Sequence, residues 1–213
     1  LFVQKGSLNA EQEIQFAMNG ILMDSYLNVY EYVKTLKEKS IWLNDQKTSY
    51  ALMENLPKEM KIIKGMTPVA YTKCVKNEKE QENIRHAHLK DGVAMTKFMY
   101  WLKENAGKVE MSEISVAEKV LEFRKAQKDF VEESFTTICG YGAHGAVIHY
   151  HATEETNAKI DAEGLLLVDS GAQYLDGTTD ITRTFAMGPV TEEEKRNFTT
   201  VLKGNLRLGN VTS

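Results

Sequence analysis

Residues 165–185 read LLLVDSGAQYLDGTTDITRTF, and the fold turns on this stretch. An apolar run ends on Asp169, and Asp180 falls within a second strand-like run. Burying a carboxylate at the end of LLLV is costly unless a hydrogen-bonding network, an ion pair or a metal ion offsets it. A two-residue turn at Asp176-Gly177 folds the stretch into a hairpin. In that register Asp180 opposes Gln173 and Asp169 opposes Thr184. Both aspartates then share a face but lie about 13 Å apart along the strand. A shared site needs a wider turn or a bulge, and Ser170-Gly171 is the place for one. Spacing alone leaves two readings open. In one, Asp169 caps a turn through backbone hydrogen bonds while Asp180 pairs with Arg183 or a lysine. In the other, both carboxylates bind divalent cations, which prefer oxygen.

Around the hairpin the chain is β-rich, with strand patterns at SFTTIC (134–139) and AVIHY (146–150). Ahead of it lie two helical patterns. The first runs through NEKEQENIRHAHLKDGVAMTKFMYWLKEN (77–105), with Ile84, Ala87, Ala94, Phe98 and Leu102 at helical spacing. The second is VAEKVLEFRKAQ (116–127), for which Ser115 and Glu118 form a capping box. Beyond the hairpin, Thr191 and Glu194 cap a last helix. Helices followed by an antiparallel sheet make an α+β domain, assigned to residues 77–213.

Residues 1–76 differ in character. Short apolar runs, LFVQ, GILM, SIWLN and MKIIKG, alternate with helical patterns, one capped by Asn9 and one in SYLNVYEYVKTLKEK. Strands alternating with helices imply an α/β layered domain. The boundary is placed near residue 76.

A hydrophobic content of 42% with three prolines describes a folded globular chain. A net charge of −4 gives no electrostatic reason to expect nucleic acid or an anionic membrane. No apolar run approaches the roughly 20 residues of a membrane span. Cys74 and Cys139 are far apart and read as free thiols, which favours a reducing, cytoplasmic setting. The chain opens on LFVQKGSLNA without an initiator Met, so an internal cut is expected at both ends.

DSGAQYLDGTTDITRTF (169–185) closely resembles the metal-binding segment of the Xaa-Pro aminopeptidases, of the pita-bread metallopeptidase group. Four further stretches match in order: VKNEKEQENIRHAHLKDGVAM, EISVAEKVLEFRKAQKDFVEESFTTI, GAVIHYHATEETN and TTVLKGN. The resemblance covers residues 65–213 and continues more loosely before that. It implies a partial creatinase N-terminal-like α/β domain over residues 1–76, then the first half of a pita-bread catalytic domain over 77–213. It also implies a binuclear site of two aspartates, one histidine and two glutamates, usually holding two Mn2+ ions. Asp169 and Asp180 map onto its aspartates, Asp180 bridging both ions and Asp169 binding one. Such a site activates a water against the scissile carbonyl and stabilises the oxyanion.

The same resemblance places His149 in the substrate cleft near the scissile bond, where a lone strand histidine otherwise reads as a packed side chain. His151 shares its strand face and reads as a rim residue. His86 and His88, two apart on a helix, point about 200° from each other and cannot easily chelate one ion; one is expected to face solvent and one to pack. His144 receives no role, and Tyr150 reads as packing. GAQYLDGTT lacks the Gly-Lys-Ser/Thr ending of a phosphate loop. Glu192, Glu193 and Glu194 complement a helix dipole rather than ligate metal.

No histidine follows Asp180. The remaining ligands are expected downstream, so the chain reads as an internal fragment, inactive alone. The expected activity of the parent is removal of the residue preceding a proline, acting on proline-containing peptides, with homodimerisation in the full-length protein open. Prolidase action on Xaa-Pro dipeptides is the near alternative. A non-catalytic pita-bread module that binds peptides or proteins is a second, against which both retained aspartates argue. A structural protein with incidental carboxylates is a distant third.

Overall fold

The computed structural model describes residues 1–211, and the chain forms two compact units that divide between Lys76 and Asn77. The first unit contains β1 (Phe2–Val3), α1 (Ala10–Met18), β2 (Asp24–Ser25), α2 (Val29–Lys34), β3 (Ser40–Leu43), α3 (Tyr50–Glu54), β4 (Lys61–Lys64) and α4 (Pro68–Cys74). β1 pairs with β2 and β3 with β4, both parallel, with α1 and α3 as the crossovers. Parallel neighbours require such crossovers, which is why strands and helices alternate in this sequence. Asn9 and Gln12 form the capping box of α1, and Thr67 caps α4 ahead of Pro68. Two expectations shift here. The strand falls at Asp24–Ser25 rather than on GILM, and the helix in SYLNVYEYVKTLKEK shortens to α2 behind a 3-10 turn at Tyr26–Asn28. The Thr35 N–H and hydroxyl both donate to Tyr32 O, closing α2 at its C-cap.

The second unit opens with α5 (Glu78–Asn105), started by a capping box of Asn77 and Glu80. Its buried residues Ala87, Lys90, Asp91, Ala94, Met95, Phe98 and Leu102 form one stripe at helical spacing. α6 (Glu113–Lys125) begins three residues earlier than the sequence pattern indicates, because Ser112 and Ser115 form its box in place of Ser115 and Glu118. Phe98, Leu102, Val116, Val120, Leu166, Val168 and Phe185 pack into the principal core, with Phe98 edge-on to Phe185 at 5.9 Å between centroids.

Two three-stranded antiparallel sheets complete the unit. One has the order β10-β7-β6, from β6 (Ile138–Tyr141), β7 (Leu165–Ser170) and β10 (Ile181–Ala186). The other has the order β5-β8-β9, from β5 (Phe130–Glu133), β8 (Ala172–Tyr174) and β9 (Gly177–Thr178). β7 and β8 are consecutive in the chain and separated only by Gly171, so one hairpin serves both sheets. A Cβ at Gly171 would lie 2.1 Å from Thr179 O and 2.3 Å from Ser134 Oγ, so no side chain fits at this junction. α7 (Glu192–Gly209), capped by Thr191 and Glu194, follows β10 with the acidic run in its first turn.

The hairpin turn is displaced by one residue from the Asp176-Gly177 position. Gln173 pairs with Thr178 and Tyr174 with Gly177, leaving Leu175 and Asp176 as the turn. α5 imposes this. Lys90 Nζ donates to Asp176 Oδ1 at 2.7 Å, and His86 Nδ1 lies 2.6 Å from Asp176 Oδ2. Burial pushes the Asp176 carboxyl upward, but these two partners outweigh it and hold it below the usual carboxylate range. Gly177 supplies no left-handed backbone; it lies against α5, where a Cβ would come within 3.1 Å of Ala87 Cβ.

AVIHY is not a strand. Gly142–Ala146 forms a 3-10 turn, and residues 147–150 make a turn in which Tyr150 N donates to Val147 O. The strand propensity of Val, Ile and Tyr yields to tertiary bonds around Glu113, described below.

Candidate metal centre

β7 alternates, as a strand with one face on the core must. Leu166, Val168 and Ser170 are fully buried, while Leu165, Leu167 and Asp169 are half-buried on the opposite face. Asp169 lies directly across the ladder from Thr182, whose hydroxyl donates to Asp169 Oδ1 at 2.6 Å. Ile181 pairs with Ser170, and Thr179 N donates to Ala172 O, so Asp180 falls opposite Gly171. Asp169 and Gly171 are two residues apart on one strand face. Asp180 is therefore the diagonal neighbour of Asp169, at about 7 Å between backbones rather than about 13 Å. The shifted turn, not a wider one, shortens the backbone separation of the two aspartates.

The structural reading of the pair fails on its particulars. Among the described residues Asp169 caps no turn; it accepts a cross-strand hydroxyl. Arg183 donates to Thr182 O at 2.7 Å, and among the described residues no ion pair reaches Asp169 or Asp180. Two aspartates at diagonal ladder positions are residues of a type suited to hard or borderline divalent ions. Among the described residues no group of three or more His, Cys, Asp and Glu gathers as a metal cluster, so the pair is a partial site.

His149 is exposed in its turn, with a left-handed φ of 57° uncommon for a non-glycine residue. With no strand there, His149 and His151 do not share a strand face. Both His86 and His88 are exposed, so neither packs inside; His86 holds Asp176, and His88 Nδ1 sits 2.9 Å from Ile84 O on its own helix. Cys139 is buried, and burial together with the Glu113 charge pushes its thiol up to about 12, which removes it as a nucleophile or ligand near neutral pH.

Two buried polar centres escape a reading of the sequence. Asp91 accepts from Arg124 Nε at 2.7 Å, from Arg124 Nη2 at 3.0 Å and from Tyr174 OH at 2.9 Å; Arg124 Nη2 also donates to Ser170 O at 3.3 Å. This joins α5, α6 and both parts of the hairpin immediately behind Asp169. The signal was an aspartate and an arginine lying on the apolar stripes of their helices. Glu113 is the second centre, fully buried at the first turn of α6. It accepts from Tyr141 N at 2.8 Å, Ala158 N at 3.0 Å and Tyr150 OH at 2.8 Å, with His144 Nδ1 at 2.9 Å. His144 and Tyr150 thus have structural partners that the sequence pattern did not assign.

The sequence model of metallopeptidase family M24 matches residues 82–211, and that of the creatinase/prolidase N-terminal domain matches residues 1–80. The chain is 40% identical over 98% of its length to Xaa-Pro aminopeptidase 1 of Dictyostelium discoideum, covering 34% of that protein. It is 42% identical over 83% of its length to the Xaa-Pro aminopeptidase ApepP of Drosophila melanogaster, covering 29%. The chain thus spans about a third of the curated relatives it matches. In structure it is similar to the X-prolyl aminopeptidase of Caenorhabditis elegans, described as a cytosolic enzyme with a di-nuclear active site. That similarity has a TM-score of 0.83 and 30% identity over 90% of this chain and 33% of the other. The prolidase of Pyrococcus horikoshii OT3 superposes with a TM-score of 0.69 at 25% identity, over 92% of this chain and 56% of that one. A creatinase/prolidase N-terminal fold followed by part of a pita-bread fold accounts for both units, and the chain belongs to metallopeptidase family M24.

Proposed function

We propose that the full-length protein carrying this chain is a metal-dependent Xaa-Pro aminopeptidase, releasing the N-terminal residue of peptides with proline in second position. The observation that carries the reading is the diagonal placement of Asp169 and Asp180, one of them tied to Thr182 and neither neutralised by a described cation. Asp169 and Asp180 would hold divalent ions, two in the complete site and manganese by preference. When bound, such ions activate a water and polarise the scissile carbonyl. Thr182 orients the Asp169 carboxylate, and the Asp91–Arg124 pair stiffens the strand behind it. His149, exposed on its turn, contacts the substrate beside the scissile bond and is the catalytic residue this chain contributes. The domain boundary at residue 76 separates this catalytic part from the creatinase/prolidase N-terminal domain.

Two ligands of five bind metal weakly, so the chain alone is expected to hydrolyse nothing. A cytoplasmic setting draws on the cytosolic Caenorhabditis relative, and no helix among the described residues is long and apolar enough to cross a membrane. Prolidase action is the second reading, supported by the likeness to the Pyrococcus enzyme, whereas the relatives at 40% and 42% identity favour the aminopeptidase. The test assays the full-length protein with manganese on an Xaa-Pro-Xaa tripeptide and an Xaa-Pro dipeptide, beside D180N and the chain alone. Release of the first residue from the tripeptide by the wild type only is expected. Dipeptide cleavage alone would shift the assignment to prolidase, and no hydrolysis by a folded protein would favour a non-catalytic binding module.

A further inference from the structure

The segment between β6 and β7 has no strand of its own, yet its bonds converge on the start of α6. Its far end is tied there: Ile160 N donates to Met111 O at 2.9 Å, Glu113 N to Ala158 O at 3.1 Å, and Ile114 N to Asn157 Oδ1 at 3.1 Å. Its near end and middle reach α6 through the Glu113 side chain, while Tyr150 OH also lies 3.2 Å from Thr156 O within the segment. Glu113 Oε1 receives Tyr141 N and faces His144 Nδ1, while Oε2 receives Tyr150 OH and Ala158 N. His144 and Tyr150 stack with ring centroids 4.5 Å apart, so the two side chains reach the carboxylate as one unit. Tyr150 is buried, while its neighbour His149 is exposed and left-handed. Drawing residue 150 inward onto Glu113 turns residue 149 outward.

We propose that Glu113 is a positioning residue that fixes the His149 turn through Tyr150 and His144, so that the presentation of His149 to substrate depends on a carboxylate outside the metal pair. The proposal rests on the reading of His149 given above. Glu113 suits the role because an ionised carboxylate offers acceptor sites on both oxygens, and four donors from residues 141–158 use them. Burial pushes Glu113 upward, but the N–H groups of Tyr141 and Ala158, then Tyr150 and His144, outweigh it and hold the carboxyl below the usual range. The N-terminus of α6 adds a favourable dipole. A glutamine of the same shape presents one oxygen and one NH2, so either the Tyr141–His144 side or the Tyr150–Ala158 side meets a donor with a donor.

The experiment uses the full-length protein with manganese, comparing wild type, E113Q, Y150F, H149A and E113Q/H149A. It reads kcat and KM on the Xaa-Pro-Xaa tripeptide and amide exchange across residues 141–158 against β7. Y150F removes one donor and keeps the ring, guarding against loss of fold in E113Q. Expected are faster exchange confined to 141–158 and a fall in kcat/KM of about tenfold or more in E113Q, smaller in Y150F. In the H149A background, E113Q should cost little more than H149A alone. Full additivity of the two substitutions, or E113Q and Y150F both indistinguishable from wild type, overturns the positioning role while leaving the His149 assignment standing. An H149A protein with undiminished hydrolysis overturns the His149 assignment and the proposal with it.

Discussion

Thr182 faces Asp169 across the β7–β10 ladder and donates its hydroxyl to Asp169 Oδ1 at 2.6 Å. That bond holds the carboxylate on the open face of the strand through one of its two oxygens, and on the proposed reading the other meets the metal. Valine at 182 keeps the shape and removes the donor. Groups that orient a ligand in this way commonly contribute about 10–100-fold to metal affinity. T182V in the full-length protein is therefore expected to weaken manganese binding by roughly tenfold, read by titration of the free-ion EPR signal. Unchanged affinity would remove Thr182 from the site.

The buried Asp91–Arg124 pair gives a prediction about stability. Removing one partner strands the other charge in the core, at a cost of about 3–5 kcal/mol. D91N should lose stability on that scale in urea denaturation. D91L/R124M, which removes both charges, should lie much closer to wild type. A double variant as unstable as D91N would show that packing around the pair, not the unpaired charge, sets the cost.

Phe98 is fully buried and meets Phe185 edge-on, coupling α5 to the strand that carries Thr182. F98A should destabilise the second unit by about 3–5 kcal/mol through lost burial and a residual cavity. A loss under about 1 kcal/mol would mean that the neighbours collapse into the space.

Glu113 makes stability depend on acid. Its folded carboxyl lies below the ordinary value, so the unfolded chain binds the proton more readily. Its contribution is fully present above the ordinary carboxylate range and is lost as the pH falls through the lower, folded value. The urea midpoint of E113Q should therefore depend less on pH than that of wild type in the acid limb. Parallel pH profiles would remove Glu113 as the cause.

What the sequence carried plainly was local. Thr191 with Glu194 is a short-range cap formed where the pattern placed it, and the stripe from Ala87 to Leu102 follows helical spacing through the core. The two aspartates were legible as a pair, but their separation was not. Asp-Gly at 176–177 is a strong local turn signal, and it lost to Lys90 and His86, whose distance in sequence hides them from any local pattern. AVIHY misled for a similar reason. Its strand-forming residues are reshaped by Tyr150 reaching Glu113, a partner 37 positions away. Asp91 and Arg124 lie on the buried faces of their helices and drew no reading from the sequence; only the fold shows that they answer each other.

Gly171 has a genetic consequence. Replacing a glycine by any other residue adds at least a Cβ, and here that atom would meet Thr179 O and Ser134 Oγ at once. Neighbouring positions can drift among side chains of similar size, whereas this one admits no first step. Since Asp180 faces this residue across the ladder and Asp169 lies two positions before it, any change here reaches both aspartates at once.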